Sequence, residues 1–195
     1  MYSNVTFVTH LRYDHTDRVK NLQAILNYYS LYCKNSKFII VEDDNNHNTN
    51  FDSVQWPKGT TYFLLKNKGP WHKTKSLNYG IKQSLTPVVV ALDTDCIIPI
   101  KSLKKCVDAV MDDATMTYPY NGYVIDVSYR LRDLFISSDY NYSILSKQLP
   151  PVNTLKLGQA FGAPETHFYV RCTNINPPGD EFHLGVGGVV VFNKD

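Results

Sequence analysis

Short apolar runs alternate with longer segments of helical spacing through the first two-thirds of the chain. β-Branched runs predict strands at residues 5–11, 37–42, 60–65 and 88–92. Apolar residues recur every three or four positions between them, which predicts a first helix that includes residues 19–29 and runs to about residue 33, and further helices over 71–84 and over about 100–111. Asp14 or Thr16 is positioned to cap the first helix. Such alternation is typical of βα units, so we expect an α/β fold with a mostly parallel sheet flanked by helices.

Beyond the third predicted helix the pattern is looser. Extended segments are predicted at residues 116–120, 123–127, 167–172 and 185–192, and mostly helical structure over 128–148. The polar stretch 43–50 is predicted to be a loop, because its Asn and Asp residues favour turns. No linker or repeat divides the sequence, so residues 1–195 are predicted to form a single domain.

An acidic pair follows the most apolar strand. The uninterrupted run Val88–Leu92 is typical of a parallel strand buried on both faces, and Asp93-Thr94-Asp95 comes directly after it. Ligands of open α/β sheets bind beyond the carboxyl ends of the strands. Two carboxylates held there repel each other unless a cation lies between them, and Mg²⁺ or Mn²⁺ prefers carboxylates together with phosphate oxygens. The pair predicts a site for a metal diphosphate, with turn or helix-capping residues as the alternative.

The helix ahead of that strand is basic. Lys73 and Lys75 cannot both lie on its inner face, because positions two apart on a helix diverge by about 200°. We therefore expect only one of them to reach a phosphate. Lys75 is favoured, since it precedes Asn78 by three residues and lies on the same side of the helix.

Charge and composition narrow the class of protein. The chain has 20 Lys and Arg against 18 Asp and Glu, a net charge of +2 that argues against general binding to nucleic acid or to a membrane surface. No signal peptide and no run long enough for a membrane span is present, so a soluble cytoplasmic protein is expected. The cysteines at positions 33, 96, 106 and 172 form no CxxC pair and are expected to be reduced and mostly buried.

Five segments, in order, resemble the nucleotide-sugar glycosyltransferases of the GT-A fold, especially family 2-like and galactosyltransferase-like members. They are Phe7-Val-Thr-His-Leu-Arg12 with Arg18, Asn21 and Leu22; Phe38-Ile-Ile-Val-Glu-Asp-Asp44; Asn67-Lys-Gly with Lys75-Ser-Leu-Asn-Tyr-Gly-Ile81; Val89-Val-Ala-Leu-Asp-Thr-Asp95; and Gly187-Gly-Val-Val-Val-Phe-Asn193. The resemblance implies a Rossmann-like central sheet with a small antiparallel portion on the acceptor side. It also implies a nucleotide-binding half over 1–98 and an acceptor half over 99–195, either as a compact member or as the leading domain of a longer polypeptide.

The activity implied by this resemblance is metal-dependent hexosyl transfer. The donor would be a nucleoside diphosphate sugar, with UDP or GDP expected, and the acceptor a hydroxyl of a glycan or glycoprotein. Asp95 would bind Mn²⁺ or Mg²⁺ directly, while Asp93 would hold the ribose or assist at the metal. Glu42 or Asp43 would read the base, with Thr9 and His10 lining its pocket. The other implied donor-binding residues are Arg12, Lys73, Lys75, Asn78 and Thr94.

The general base and two rival interpretations stay open. Asp180 and Glu181 are the nearest candidates for the base, with a solvated turn as the alternative. The segment Asp93-Thr-Asp-Cys-Ile97 also resembles the haloacid-dehalogenase-like phosphatases, in which Asp93 would attack phosphorus and Asp95 would act as acid and base. That strand usually comes first in those enzymes, whereas three βα units precede it here. The second rival is a non-catalytic remnant that binds a nucleotide sugar.

Overall fold

The computed structural model describes residues 2–119, 123–148, 154–156, 168–170 and 188–194. The strands in chain order are β1 (Val5–Leu11), β2 (Lys37–Asp44), β3 (Thr60–Lys66), β4 (Val88–Leu92), β5 (Cys96–Ile97), β6 (Met116–Thr117), β7 (Tyr123–Val127), β8 (Thr154–Lys156), β9 (Phe168–Val170) and β10 (Val189–Asn193). The helices are α1 (Asp17–Tyr32), α2 (Lys73–Gln83), α3 (Ile100–Asp112), α4 (Tyr129–Ser137) and α5 (Tyr142–Gln148), and a short 3₁₀ helix covers Thr49–Ser53.

The described strands form two sheets. The larger has six strands in the order β3-β2-β1-β4-β10-β6. Its first four strands are mutually parallel, and β10 runs antiparallel to both β4 and β6. The smaller sheet has the order β5-β9-β7-β8, with β7 antiparallel to both of its neighbours. The predicted α/β fold, with a mostly parallel sheet and an antiparallel portion, is confirmed.

Helices cover both faces of the larger sheet. Side chains alternate along a strand, so Phe7 and Leu11 of β1 pack with α1 and α3 on one face, while Val8 packs toward α2 on the other. The first four strands run the same way, so their carboxyl ends meet at one edge of the sheet. The helix α1 begins just beyond that edge on one side and α2 on the other. This arrangement places the amino ends of two helices around the residues that follow β4.

Three local predictions were wrong. First, β2 continues through Asp43 and Asp44, which pair with β3, and a 3₁₀ helix over residues 49–53 begins at the end of the predicted loop. Second, α2 begins at Lys73 and not at Trp71: His72 has non-helical backbone angles (φ −117°, ψ 79°), and its backbone N–H donates to Asp43 Oδ2 at 2.7 Å. Third, neither residue proposed as the cap of α1 uses its side chain that way: Thr16 stands at the cap position without a capping hydrogen bond, and Asp14 binds Arg18.

Other predictions can be compared only where the chain is described. The bounds of β1, β4 and β7 match those predicted from the sequence, while β6, β9 and β10 cover only parts of the remaining extended segments. Cys33 and Cys96 are buried, as expected, Cys106 is half-buried, and Cys172 lies outside the described residues. Each helix in the described part of the chain is too short or too polar to cross a lipid bilayer.

Candidate active site

The acidic pair lies at the carboxyl edge of the larger sheet, where β4 ends. The backbone N–H of Asp93 donates to the carbonyl of Gly188 at 2.8 Å, which ties the first carboxylate to the start of β10. The buried side chain of Tyr29 on α1 anchors the residues after the pair. Its hydroxyl accepts from the N–H of Ile98 at 3.1 Å and donates to the carbonyl of Cys96 at 3.2 Å. The pair is therefore held from both ends by the packed core.

Asp93 is held by two basic side chains. Lys73 Nζ lies 2.6 Å from Asp93 Oδ1 and 2.8 Å from Oδ2, and His10 Nε2 lies 3.0 Å from Oδ1. Burial acts to raise the pKa of Asp93, but the hydrogen bond from His10 and the charge of Lys73 outweigh it and the pKa lies below its usual value. Burial lowers the pKa of His10 below its usual value. The arrangement is thus a carboxylate beside an ammonium and a neutral imidazole.

Asp95 is less well neutralised than Asp93. Its Oδ2 lies 3.8 Å from Arg18 Nη1, and Arg18 also makes two closer contacts with Asp14. Burial, together with the charge of Asp93, raises the pKa of Asp95 to about 6. A carboxylate with a raised pKa is in an environment that disfavours its negative charge. A cation bound between the two carboxylates would relieve that cost.

One group of metal-ligand side chains stands out among the described residues. Ligand atoms of Asp93, Asp95 and Cys96 all lie within 4.8 Å of one another. Mg²⁺ and Mn²⁺ prefer carboxylate oxygens, and Mg²⁺ usually takes one or two of them together with phosphate oxygens. The two carboxylates fit such an ion, whereas the Cys96 thiol is a soft ligand that suits it poorly.

Asp43 and Glu42 point to opposite faces of β2. Asp43 lies on the α2 side, where its Oδ2 accepts from Asn67 Nδ2 at 3.1 Å and from the His72 N–H, while its buried Oδ1 has no hydrogen-bond partner among the described residues. Glu42 is buried on the α1 side and accepts from the Tyr62 hydroxyl, His47 and the backbone of Asn48. Of these two candidate base readers, Asp43 is the one that keeps an acceptor atom available.

The Glu42 side of β2 carries a histidine bound to two carboxylates. His47 Nδ1 lies 2.9 Å from Glu42 Oε2, and Nε2 lies 2.7 Å from Asp52 Oδ1. The hydrogen bond with Asp52, and then that with Glu42, raises the pKa of His47. A histidine with a raised pKa in the folded state contributes stability that is complete below its unfolded pKa and is lost as the pH rises through the folded value.

We therefore expect a pH-dependent stability difference between the wild type and His47→Gln. The wild type should be the more stable of the two below pH 6.5, the ordinary histidine value, and its advantage should shrink as the pH rises above that. Urea unfolding of both proteins between about pH 5.5 and 8.5 measures the difference. His72→Gln is the control, because the exposed His72 ring makes no hydrogen bond within the described part of the chain. A difference that grows with pH would contradict the assignment.

The remaining donor-binding candidates fall into two groups. Arg12 donates to the carbonyl of Gly69 at 2.8 Å, Thr94 accepts from Arg18 at 3.4 Å, and the buried Thr9 hydroxyl has no partner among the described residues. These three side chains lie at or beside the carboxyl edge. Lys75 and Asn78 are exposed on α2, although Lys75 lines an open cleft of about 520 Å³ with Trp71 and Lys73. Lys73, and not the favoured Lys75, is the lysine that reaches the acidic pair.

One residue of the site had no role predicted from the sequence, and two predicted residues lie outside the described part of the chain. No role was assigned to Arg18, although it follows Asp14 by four residues, the spacing of the observed ion pair. Arg18 also lies over the Trp71 ring, 5.5 Å from its centroid. Asp180 and Glu181, the candidates for the general base, lie outside the described residues and stay predictions.

A mostly parallel sheet with an acidic pair beyond β4 is the arrangement expected of a GT-A-fold domain. Residues 18–170 match the family described as Glycosyl transferase family 2, and the chain belongs to that family. The phosphatase interpretation is not supported, since the family that the chain matches is a different one. Among curated proteins, no sequence matches the chain significantly.

Two solved structures are similar to this chain at low identity. One is the mannosyltransferase PcManGT from Pyrobaculum calidifontis in complex with GDP-Man and Mn²⁺, which is 18% identical over 68% of this chain and 37% of that chain, with a TM-score of 0.41. The other is S. aureus TarS 1-349, 13% identical over 88% of this chain and 58% of that chain, with a TM-score of 0.39. The chain thus spans less than two-thirds of the length of either structure.

Proposed function

We propose that this chain transfers a hexosyl group from a nucleoside diphosphate sugar to a hydroxyl of a glycan or glycoprotein, with Mn²⁺ or Mg²⁺ as the required cation. The observation that carries the proposal is the pair Asp93 and Asp95 at the carboxyl edge of the sheet, in a chain of a glycosyltransferase family. Residues 1–98 would bind the donor and residues 99–195 would face the acceptor. Action in the cytoplasm stays a prediction from the sequence.

The donor base would be read by Asp43. Its buried Oδ1 is an acceptor without a partner among the described residues, so it favours a ligand that offers an N–H there. Uracil and guanine both carry a ring N–H next to a carbonyl, which supports UDP or GDP as the nucleotide. Glu42 is a weaker candidate, because hydrogen bonds from its own neighbours already engage both of its oxygens.

The diphosphate would be bound by Lys73. This residue is the first of α2, so its ammonium lies beside the amino end of a helix, where backbone N–H groups and the helix dipole also favour an anion. Its side chain is long and more than one-third exposed, which allows Nζ to turn from Asp93 toward a phosphate. Lys75 lines the same cleft and is the second candidate for a phosphate contact.

Asp93 and Asp95 would hold the cation. A divalent ion supplies positive charge that stabilises the diphosphate as it leaves. The protein would fix the two carboxylates at the edge of the sheet. Before the donor binds, Arg18 restrains Asp95 and Lys73 restrains Asp93. Proton removal from the acceptor hydroxyl is proposed for Asp180 or Glu181.

A panel of nucleotide sugars tests the proposal directly. UDP- or GDP-sugars are expected to raise the unfolding temperature only when Mn²⁺ is present, because a ligand that binds the native state alone stabilises it. Release of nucleoside diphosphate in the presence of an acceptor would then show turnover. Lys73→Met should weaken nucleotide binding, while Lys82→Met, on the exposed end of the same helix, should not. Failure of every nucleotide sugar to stabilise the chain would contradict the proposal, and binding without any turnover would favour the non-catalytic remnant.

A further inference from the structure

His10 and Asp93 are buried neighbours on adjacent parallel strands. The paired residues Thr9 of β1 and Leu92 of β4 immediately precede them, so the two side chains meet where both strands end. His10 Nε2 lies 3.0 Å from Asp93 Oδ1, and the His10 side chain is only 3% exposed. Its ring also packs on Trp71, with ring centroids 4.9 Å apart. The imidazole is therefore fixed by the sheet on one side and an aromatic ring on the other.

The direction of the hydrogen bond follows from the carboxylate. Ionised Asp93 can only accept, so the proton of the imidazole must be on Nε2. The other ring nitrogen, Nδ1, is buried and has no hydrogen-bond partner among the described residues. A neutral imidazole that donates from Nε2 carries no proton on Nδ1. This agrees with the structure, in which no acceptor for such a proton lies beside Nδ1 among the described residues.

The two partners of Asp93 differ in their freedom to move. The side chain of Lys73 is long and 38% exposed, and it contacts both Asp93 oxygens. When Lys73 turns to a diphosphate, as in the proposed function, both oxygens lose that contact at the same time. His10 cannot follow, because it lies within the strand β1 between β2 and β4. It is the partner that stays on Oδ1 in the loaded site.

We propose that His10 is a positioning residue that holds Asp93 by Oδ1 and thereby directs Oδ2 toward the divalent cation. The role rests on the proposed function, and it differs from the base pocket that the resemblance implied for His10. A hydrogen-bond donor behind a metal-binding carboxylate fixes its orientation, and loss of such a group typically weakens metal binding.

Mn²⁺ binding to the full chain, measured from the electron paramagnetic resonance signal of the free ion, tests this role without relying on turnover. His10→Phe keeps a ring against Trp71 but removes the donor, and should weaken Mn²⁺ binding by about 10- to 100-fold. His10→Gln places an amide N–H near the position of Nε2 and should restore most of the affinity. His10→Asn is too short to reach Asp93, and it serves in place of the phenylalanine variant if that variant does not fold.

A double-mutant cycle that combines His10→Phe with Asp93→Asn shows whether His10 acts through Asp93. In that background, His10→Phe should cost little further Mn²⁺ affinity, because the side chain that it positions no longer carries a charge. Equal Mn²⁺ affinity in the wild type and His10→Phe, or fully additive losses in the double variant, would overturn the role of His10 alone. Absence of Mn²⁺ binding by the wild type would overturn the metal dependence of the proposed function and this role with it.

Discussion

Asp95→Asn is expected to abolish metal-dependent turnover while leaving the fold intact. The side chains have the same shape, but the amide carries no negative charge to hold a cation. Loss of a group that merely supports a metal ligand costs about 10- to 100-fold, so loss of a direct ligand should cost at least about 100-fold in nucleoside diphosphate release. The measurement is the rate of that release at saturating Mn²⁺ with the nucleotide sugar that stabilises the wild type.

The same variant should gain stability in the absence of metal. The pKa of Asp95 is raised to about 6 by burial and by the charge of Asp93, so its ionised form destabilises the folded state at neutral pH. Removing the charge relieves that cost, and the unfolding midpoint at pH 7 should rise. Asp112→Asn, at the exposed end of α3, is the control and should change neither quantity. Full metal-dependent turnover by Asp95→Asn would show that Asp95 is not a ligand.

The sheet was predictable because its signal is local. A strand such as β4 is buried on both faces, so its sequence is an unbroken apolar run, and the run ends where the strand ends. The helices between the strands keep an apolar stripe toward the sheet, which preserves the three- and four-residue spacing. The position of the acidic pair then followed from the parallel topology, which requires Asp93 and Asp95 to lie at the carboxyl edge.

The details of the site depend on contacts between distant residues. Asp43 is predicted to belong to a turn when only its neighbours in sequence are considered, yet it is a buried strand residue whose Oδ2 accepts from the Asn67 side chain and the His72 backbone. Both donors lie more than 20 residues away in the sequence. Helical spacing predicts that only one of the two lysines reaches a phosphate, which stays a prediction. The structure places Lys73, the first residue of α2, beside Asp93.

The hydrogen bond between His10 and Asp93 is another contact that the local sequence does not predict. The apolar pattern around His10 predicts the strand β1, but nothing near His10 indicates a carboxylate 83 residues away. Only the pairing of β1 with β4 brings the two together. Packing between distant residues also explains why position 80 is a glycine in the segment Lys75-Ser-Leu-Asn-Tyr-Gly-Ile81.

Gly80→Ala is expected to destabilise the fold although alanine is the better helix former. Gly80 lies in α2 where the helix crosses the sheet, and a Cβ placed there would be 2.5 Å from Val8 Cγ1 and 3.1 Å from Val41 Cγ2. Both valines are buried in strands and cannot withdraw. Overpacking of this kind costs about 1–3 kcal/mol. Alanine returns up to about 1 kcal/mol in helix propensity, so a net loss in the free energy of unfolding is expected.

The site should respond to Gly80→Ala as well, because lifting α2 from the sheet relieves the clash. That movement would shift Lys73 relative to Asp93 and weaken nucleotide binding along with stability. Lys82→Ala, exposed on the same helix, is the control and should stay within about 0.5 kcal/mol of the wild type. Val8→Ala removes the clashing methyl groups, so combined with Gly80→Ala it should destabilise less than the sum of the two changes. Strict additivity in urea unfolding would show that the contact between α2 and β1 does not limit residue 80 to glycine.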